Sequence, residues 1–176
     1  MPLYSFEGRS PSVHPDAFVA PTATLVGDIV VEAGASVWYG AVIRADYSRV
    51  TVRSGANVQD GAVIHGPPEL PTEVGPGATV AHLCVVHGAV LGEESLVANG
   101  ATVLDGARIG ARALVAAHAL VPAGMEVPDG FLVAGVPAQV KRPVEGSPAE
   151  MWVKFNPAAY ADLAQRHMRG ATLVET

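Results

Sequence analysis

Three of the six histidines, His65, His82 and His87, fall within one stretch, residues 58–88. Three neutral imidazoles with one open position form the ligand set of a catalytic zinc. A metal held this way lowers the pKa of its bound water to about 7 and supplies hydroxide at neutral pH. Gln59 and Asp60 open the stretch, and Arg44 and Asp46 precede it. The carboxamide of Gln59 offers both a donor and an acceptor, so it can orient a bound hydroxide or a substrate oxygen. Arg44 can pair with Asp60, and Asp46 can buttress Arg44 or order water. Each group also has a plainer reading. The histidines could bond to backbone at an interface, Gln59 could be a solvated turn residue, and Arg44 with Asp60 could be a surface ion pair worth little.

The elements that must position these residues show in a period of six. From Val13, steps of six reach Val19, Leu25, Val31, Val37 and Ile43. From Leu91 they run through Val97, Val103, Ile109, Val115, Val121 and Val127 to Val133. Val52, Val58 and Ile64, then Val74, Val80 and Val86, keep the period between. Four residues after most of these aliphatics stands a small one, mostly alanine, with Cys84 and Ser95 among them and a few larger exceptions. A period of six is neither the 3.6 of a helix nor the 2.0 of a plain strand. It suits a short strand and a tight turn, repeated, and three hexads make one triangular coil. Stacked coils lie about 4.8 Å apart, the distance between neighbouring strands.

The ladder breaks after Ile43, after Ile64 and after Val86, and all three breaks flank the histidine stretch. Counting hexads in threes places Arg44, His65 and His87 in one column. Tyr39, Asp60, His82 and Asn99 form a column on the preceding face. His82 therefore cannot join His65 and His87 within its own chain, and a three-histidine site needs a neighbouring copy. Triangular prisms pack as a threefold ring, so the expectation is a homotrimer with a site at each interface. Asn99 could line that site, although an Asn-Gly turn explains it as well. His14, His118 and His167 read as structural or solvated, and Trp38 and Tyr39 as packing.

Net charge is −6 with no basic block, which argues against nucleic acid or an anionic membrane as partner. No apolar run reaches the length of a membrane span, and the N-terminus has no basic segment followed by an apolar one. The single cysteine excludes an intrachain disulfide and fits a cytoplasmic protein. The β-helix is expected over 1–143. A C-terminal helical segment is expected over 144–176, packed on it or on a neighbour through Met151, Trp152, Phe155, Tyr160, Leu163 and Ala164. Ser147-Pro148-Ala149-Glu150 reads as a capping box, Asn156-Pro157 as a second start or a kink, and Gly170 as the end.

Ser36-Val37-Trp38-Tyr39-Gly40-Ala41-Val42-Ile43-Arg44-Ala45-Asp46 resembles a signature of the γ-class carbonic anhydrases and their close homologues, which are hexapeptide-repeat proteins. Asn57-Val58-Gln59-Asp60-Gly61-Ala62-Val63-Ile64-His65 and Ala81-His82-Leu83-Cys84-Val85-Val86-His87-Gly88 are similar to two more. With Gly135-Val136-Pro137-Ala138 the resemblance covers nearly the whole chain. It implies an all-β left-handed parallel β-helix with a C-terminal α-helix. Spacing alone does not give that hand. It also implies a trimer that binds zinc, or another divalent metal such as iron or cobalt, through His65, His87 and the neighbour's His82. Gln59 would lie near the bound water, Arg44 would pair with the neighbour's Asp60 with Asp46 close by, and Tyr160 would approach the metal. The expected activity is carbonic anhydrase (carbonate dehydratase), a lyase that hydrates carbon dioxide to bicarbonate.

The chain departs from that pattern in three places. Tyr47 stands where the best-characterised members carry a glutamate, and Ala89 where a cysteine is common. The loop 66–72 is short, so Glu69 or Glu73 is at best a partial proton shuttle. These departures point to the alternatives: an acyl-CoA thioesterase or hexapeptide acyltransferase, or a metal-stabilised scaffold without turnover.

Overall fold

One aliphatic and one small residue in every six build a strand of two or three residues and a corner. The computed structural model describes residues 2–174. It is a left-handed parallel β-helix of about seven coils followed by one helix. Val37, Val58, Val80, Val97, Val115 and Val133 are register partners up one face. Ile43, Ile64, Val86, Val103 and Val121 stack on the next. Val31, Val52, Val74, Leu91, Ile109 and Val127 stack on the third. None of these is more than 4% exposed. Burying each such side chain contributes about 1.5–3 kcal/mol against the entropy of ordering the chain. Ala41, Ala62, Cys84 and Ala101 are fully buried where the coil narrows at its corners.

The interruptions of the ladder become the features that carry polar side chains. The extra residues after Ile43 lengthen one strand to Val42–Val52, which pairs with Thr24–Val31 across a register shift at Gly27. Gly27 has φ +87°, and a Cβ there would stand 2.3 Å from the Ala45 carbonyl oxygen. Only glycine lets the two backbones approach that closely. The loop after His65 folds over Gly88, where a Cβ would lie 2.9 Å from the Pro67 ring. Thr72 anchors the loop by donating from Oγ1 to the His65 carbonyl at 2.7 Å.

The last coil ends when Phe131–Gly135 turns back antiparallel onto Ala138–Pro143. That hairpin covers an edge which would otherwise offer unpaired backbone. Helix α1 follows over Glu150–Gly170. Its start departs from the expected capping box. Ala149 is the N-cap, without a side-chain cap bond. The Glu150 carboxylate instead accepts from the Gly146 N–H at 2.8 Å, and Ser147 Oγ donates to the Val144 carbonyl. Pro157 lies inside the helix and neither ends nor restarts it.

The expected apolar stripe of α1 divides. Val153 and Ala164 are buried and Tyr160 and Leu163 half-buried, whereas Met151, Trp152 and Phe155 are 58%, 64% and 65% exposed. Trp38 docks the helix with its ring 5.3 Å from Tyr160 and 5.0 Å from His167, and Tyr39 Oη lies 3.0 Å from His167 Nδ1. Residue 1 of the expected β-helix and residues 175 and 176 of the expected terminal segment lie outside the described residues. Among the described residues, no helix is long and apolar enough to cross a membrane.

Candidate active site

Register brings the polar residues to two faces. On the first, Arg44, His65 and His87 stack directly over one another. His65 Nδ1 and His87 Nε2 lie 2.9 Å apart. The other nitrogen of His65 donates to Asp46 Oδ1 at 2.8 Å. Arg44 holds the second oxygen of that carboxylate, and His87 Nδ1 donates to Asp105. A continuous line therefore runs Arg44–Asp46–His65–His87–Asp105. Burial raises the Asp46 pKa, but hydrogen bonds from His65 and Arg44 outweigh it and hold the carboxyl below its ordinary value. Asp46 is therefore an acceptor at neutral pH.

Asp105 escaped the sequence reading because it lies 17 residues beyond the histidine stretch. It stands one coil above His87 and one residue past the position that stacks on it, so the register that paired His65 with His87 also contains it.

On the preceding face, backbone bonds from Leu83 to Asp60 and from Gly100 to His82 stack Asp60, His82 and Asn99 coil on coil. His82 Nδ1 lies 3.1 Å from Asp60 Oδ2, and His82 Nε2 lies 3.3 Å from Tyr160 Oη. Burial first, and then the charge on Asp60, push the Tyr160 phenol above its usual pKa. It therefore remains a donor at neutral pH. Gln59 is 3% exposed and donates to Asn57 Oδ1 at 2.9 Å. Asn57 and Asn156 of α1 both donate to Thr79 Oγ1, at 2.8 and 3.0 Å. This network ties the helix to the floor beneath His82. A cleft of about 640 Å³ opens between α1 and this face, with Gln59, His82, Asn99 and Tyr160 among its lining residues.

The expected partners are thus distributed differently within one chain. Arg44 pairs with Asp46, and Asp60 pairs with His82. Glu73 is committed to Arg53 at 2.8 Å, and Glu69 sits in the loop with φ +63°. Neither carboxylate lies in the Arg44–Asp105 line. Cys84, whose thiol burial pushes up to about 11, points its Sγ at the Ala98 carbonyl and is no nucleophile.

The comparisons with known proteins favour the transferase side of the sequence reading. No family model matches the chain. The carnitine operon protein CaiE of Citrobacter koseri is 40% identical over 176 residues, which is 100% of this chain and 88% of the relative. The chain belongs to the hexapeptide-repeat left-handed β-helix family that includes CaiE. A hexapeptide transferase family protein from Anaplasma phagocytophilum superposes with TM-score 0.88 at 33% identity, covering 93% of this chain and 96% of the other. A candidate acetyltransferase from Bacillus cereus superposes with TM-score 0.92 at 29% identity, over 95% and 96%.

These relatives correct the expectation of a carbonic anhydrase, and with it that of a lyase, carbonate dehydratase. The names they carry are those of an operon protein and of transferases. The expected zinc, iron or cobalt is corrected as well. Among the described residues no three His, Cys, Asp or Glu side chains form a group that could hold a metal ion. Within one chain His65 and His87 engage each other and two carboxylates, and His82 stands on another face.

Proposed function

We propose that the protein transfers an acyl group from a coenzyme A thioester to a small hydroxyl or amine acceptor, with His82 as general base. One observation carries the reading: a cleft of about 640 Å³ reaches a histidine that stands beside a carboxylate. Asp60 Oδ2 lies 3.1 Å from Nδ1 and favours the ring proton on that side, which leaves Nε2, facing Tyr160, as the base. It takes the acceptor's proton as the acceptor oxygen or nitrogen attacks the thioester carbonyl. The tetrahedral adduct then expels the thiolate, and the proton passes from His82 to the sulfur. Tyr160 donates to the oxygen on which charge develops, and Gln59 orients the acceptor. The transferase names among the relatives support this chemistry, and the carnitine operon of CaiE supports carnitine as one acceptor to try.

In the same reading the protein is a cytoplasmic homotrimer. Residues 1–143 supply the coils, and the segment from 144 closes the cleft. The Arg44–Asp46–His65–His87 line faces the neighbour's cleft, where Arg44 meets Asp60 and the paired histidines meet His82. The exposed Met151, Trp152 and Phe155 support burial of this side of the chain by another copy. Purified protein given a panel of acyl-CoAs with carnitine, other small alcohols, amines or water should release free thiol, and His82→Ala should not. If no acyl-CoA is consumed with any acceptor or with water, the reading is wrong.

A further inference from the structure

Proceeding up the face that carries His82, the outward positions change character at one coil. The column Asn57, Thr79, Leu96, Leu114, Leu132 is in strict register, polar in its first two coils and leucine in the next three. Two residues further along each strand, Gln59 gives way to Ala81, Ala98 and Ala116. Successive outward positions on a strand share a face, so the leucines form a wall and the alanines a floor beside it. Trp152 of α1 lines the opposite side, and the cleft's lining includes no Asp, Glu, Lys or Arg. A wall of leucine beside a floor of alanine leaves a trough that runs along the β-helix axis from His82 towards Leu132.

We infer that this trough is the binding site for the acyl chain of the thioester, and that its length selects chains of medium length. The inference rests on the proposed acyl transfer and adds the substrate class to it. A neutral lining with no charge to satisfy suits an alkyl chain, and the polar end at His82 and Gln59 suits the thioester carbonyl and the acceptor. From the His82 coil to the Leu132 coil is three strand spacings, about 14 Å. That length holds roughly eight to twelve carbons at C–C bonds of ~1.5 Å. Each methylene within the trough should tighten binding about threefold, and methylenes beyond Leu132 should add nothing. Ala98 and Ala116 set the depth, because any larger side chain there would fill the floor.

The test separates chain binding from turnover. Unreactive S-alkyl-CoA thioethers, from ethyl to dodecyl and hexadecyl, are titrated into the whole protein while Trp152 fluorescence is followed. Trp152→Phe identifies the signal against buried Trp38. Affinity should rise about threefold per carbon and level off in the medium range. Ala116→Leu should move the plateau to shorter chains by several carbons. A parallel series of acyl-CoA substrates should show kcat/KM following the same profile. An affinity independent of chain length, or an unshifted plateau in a folded Ala116→Leu protein, overturns the trough. Turnover with a flat profile overturns it while leaving acyl transfer standing. Chain-length-dependent binding without turnover supports the trough and overturns acyl transfer.

Discussion

At the residue scale, the difference between the two histidine clusters lies in what each ring nitrogen touches. His65 and His87 use their nitrogens on each other and on Asp46 and Asp105, whereas His82 keeps Nε2 on a phenol at the edge of a cleft. His82→Ala should therefore lower kcat by about 10²–10⁴-fold with an unchanged far-ultraviolet spectrum, as expected for loss of a general base. His65→Ala in an isolated chain leaves that dyad untouched. Tyr160 should titrate above the ordinary value of a tyrosine, because burial and the Asp60 charge both disfavour its phenolate. Ultraviolet titration of the wild type against Tyr160→Phe should lose a tyrosine step above that value. If the lost step lies among the ordinary ones, the assigned environment is wrong.

At the element scale, the small residues at the corners carry stability that no polar contact replaces. Gly27→Ala would press a methyl group into the Ala45 carbonyl at a φ that side chains avoid. It should destabilise the protein by at least about 1–3 kcal/mol, visible as an earlier unfolding midpoint in urea. Cys84 gives a sharper signature. Its thiol moves from an ordinary 9.0 to about 11 on folding, chiefly through burial. The sign follows from linkage: the folded state favours the protonated thiol, so this contribution is complete below about pH 9 and is lost as pH rises towards 11. Thermal stability should fall across that window, and Cys84→Ala, which matches the alanine of neighbouring corners, should flatten the fall. At pH 7 the native thiol should resist alkylation until the chain unfolds, and rapid labelling of native protein would contradict its burial.

At the scale of the whole molecule, the two clusters lie on neighbouring faces of one prism, so a threefold ring would bring each against the other cluster of the next copy. Sedimentation should give the mass of three 18.1 kDa chains. A monomer at micromolar concentration would remove the basis for a shared site. Mixing His82→Ala with His65→Ala chains, after unfolding and refolding them together, should recover part of the activity if both faces serve one site. No recovery from mixed trimers would confine the chemistry to the His82 cleft of a single chain.

The period-six ladder by itself determines much of the fold. A coil that places one aliphatic residue inward per hexad can stack in only one register, so the columns of Arg44, His65 and His87, and of Asp60 and His82, follow from counting. The same count could have reached Asp105, but a lone aspartate three hexads beyond His87 gives no local signal. The motifs around His65, His82 and His87 are similar to those of carbonic anhydrases, whereas similar solved structures carry transferase names. Tertiary structure decided what the side chains meet: Asp60 turned to His82, Tyr160 brought over it by α1, and Arg44 paired with Asp46. It also decided that α1 packs Val153 on Leu96 and Leu114 and still leaves a cleft beside them. Helix docking depends on Trp38, Tyr39 and His167 packing across more than a hundred residues of chain. A repeat spacing of six residues carries no information about a contact at that distance.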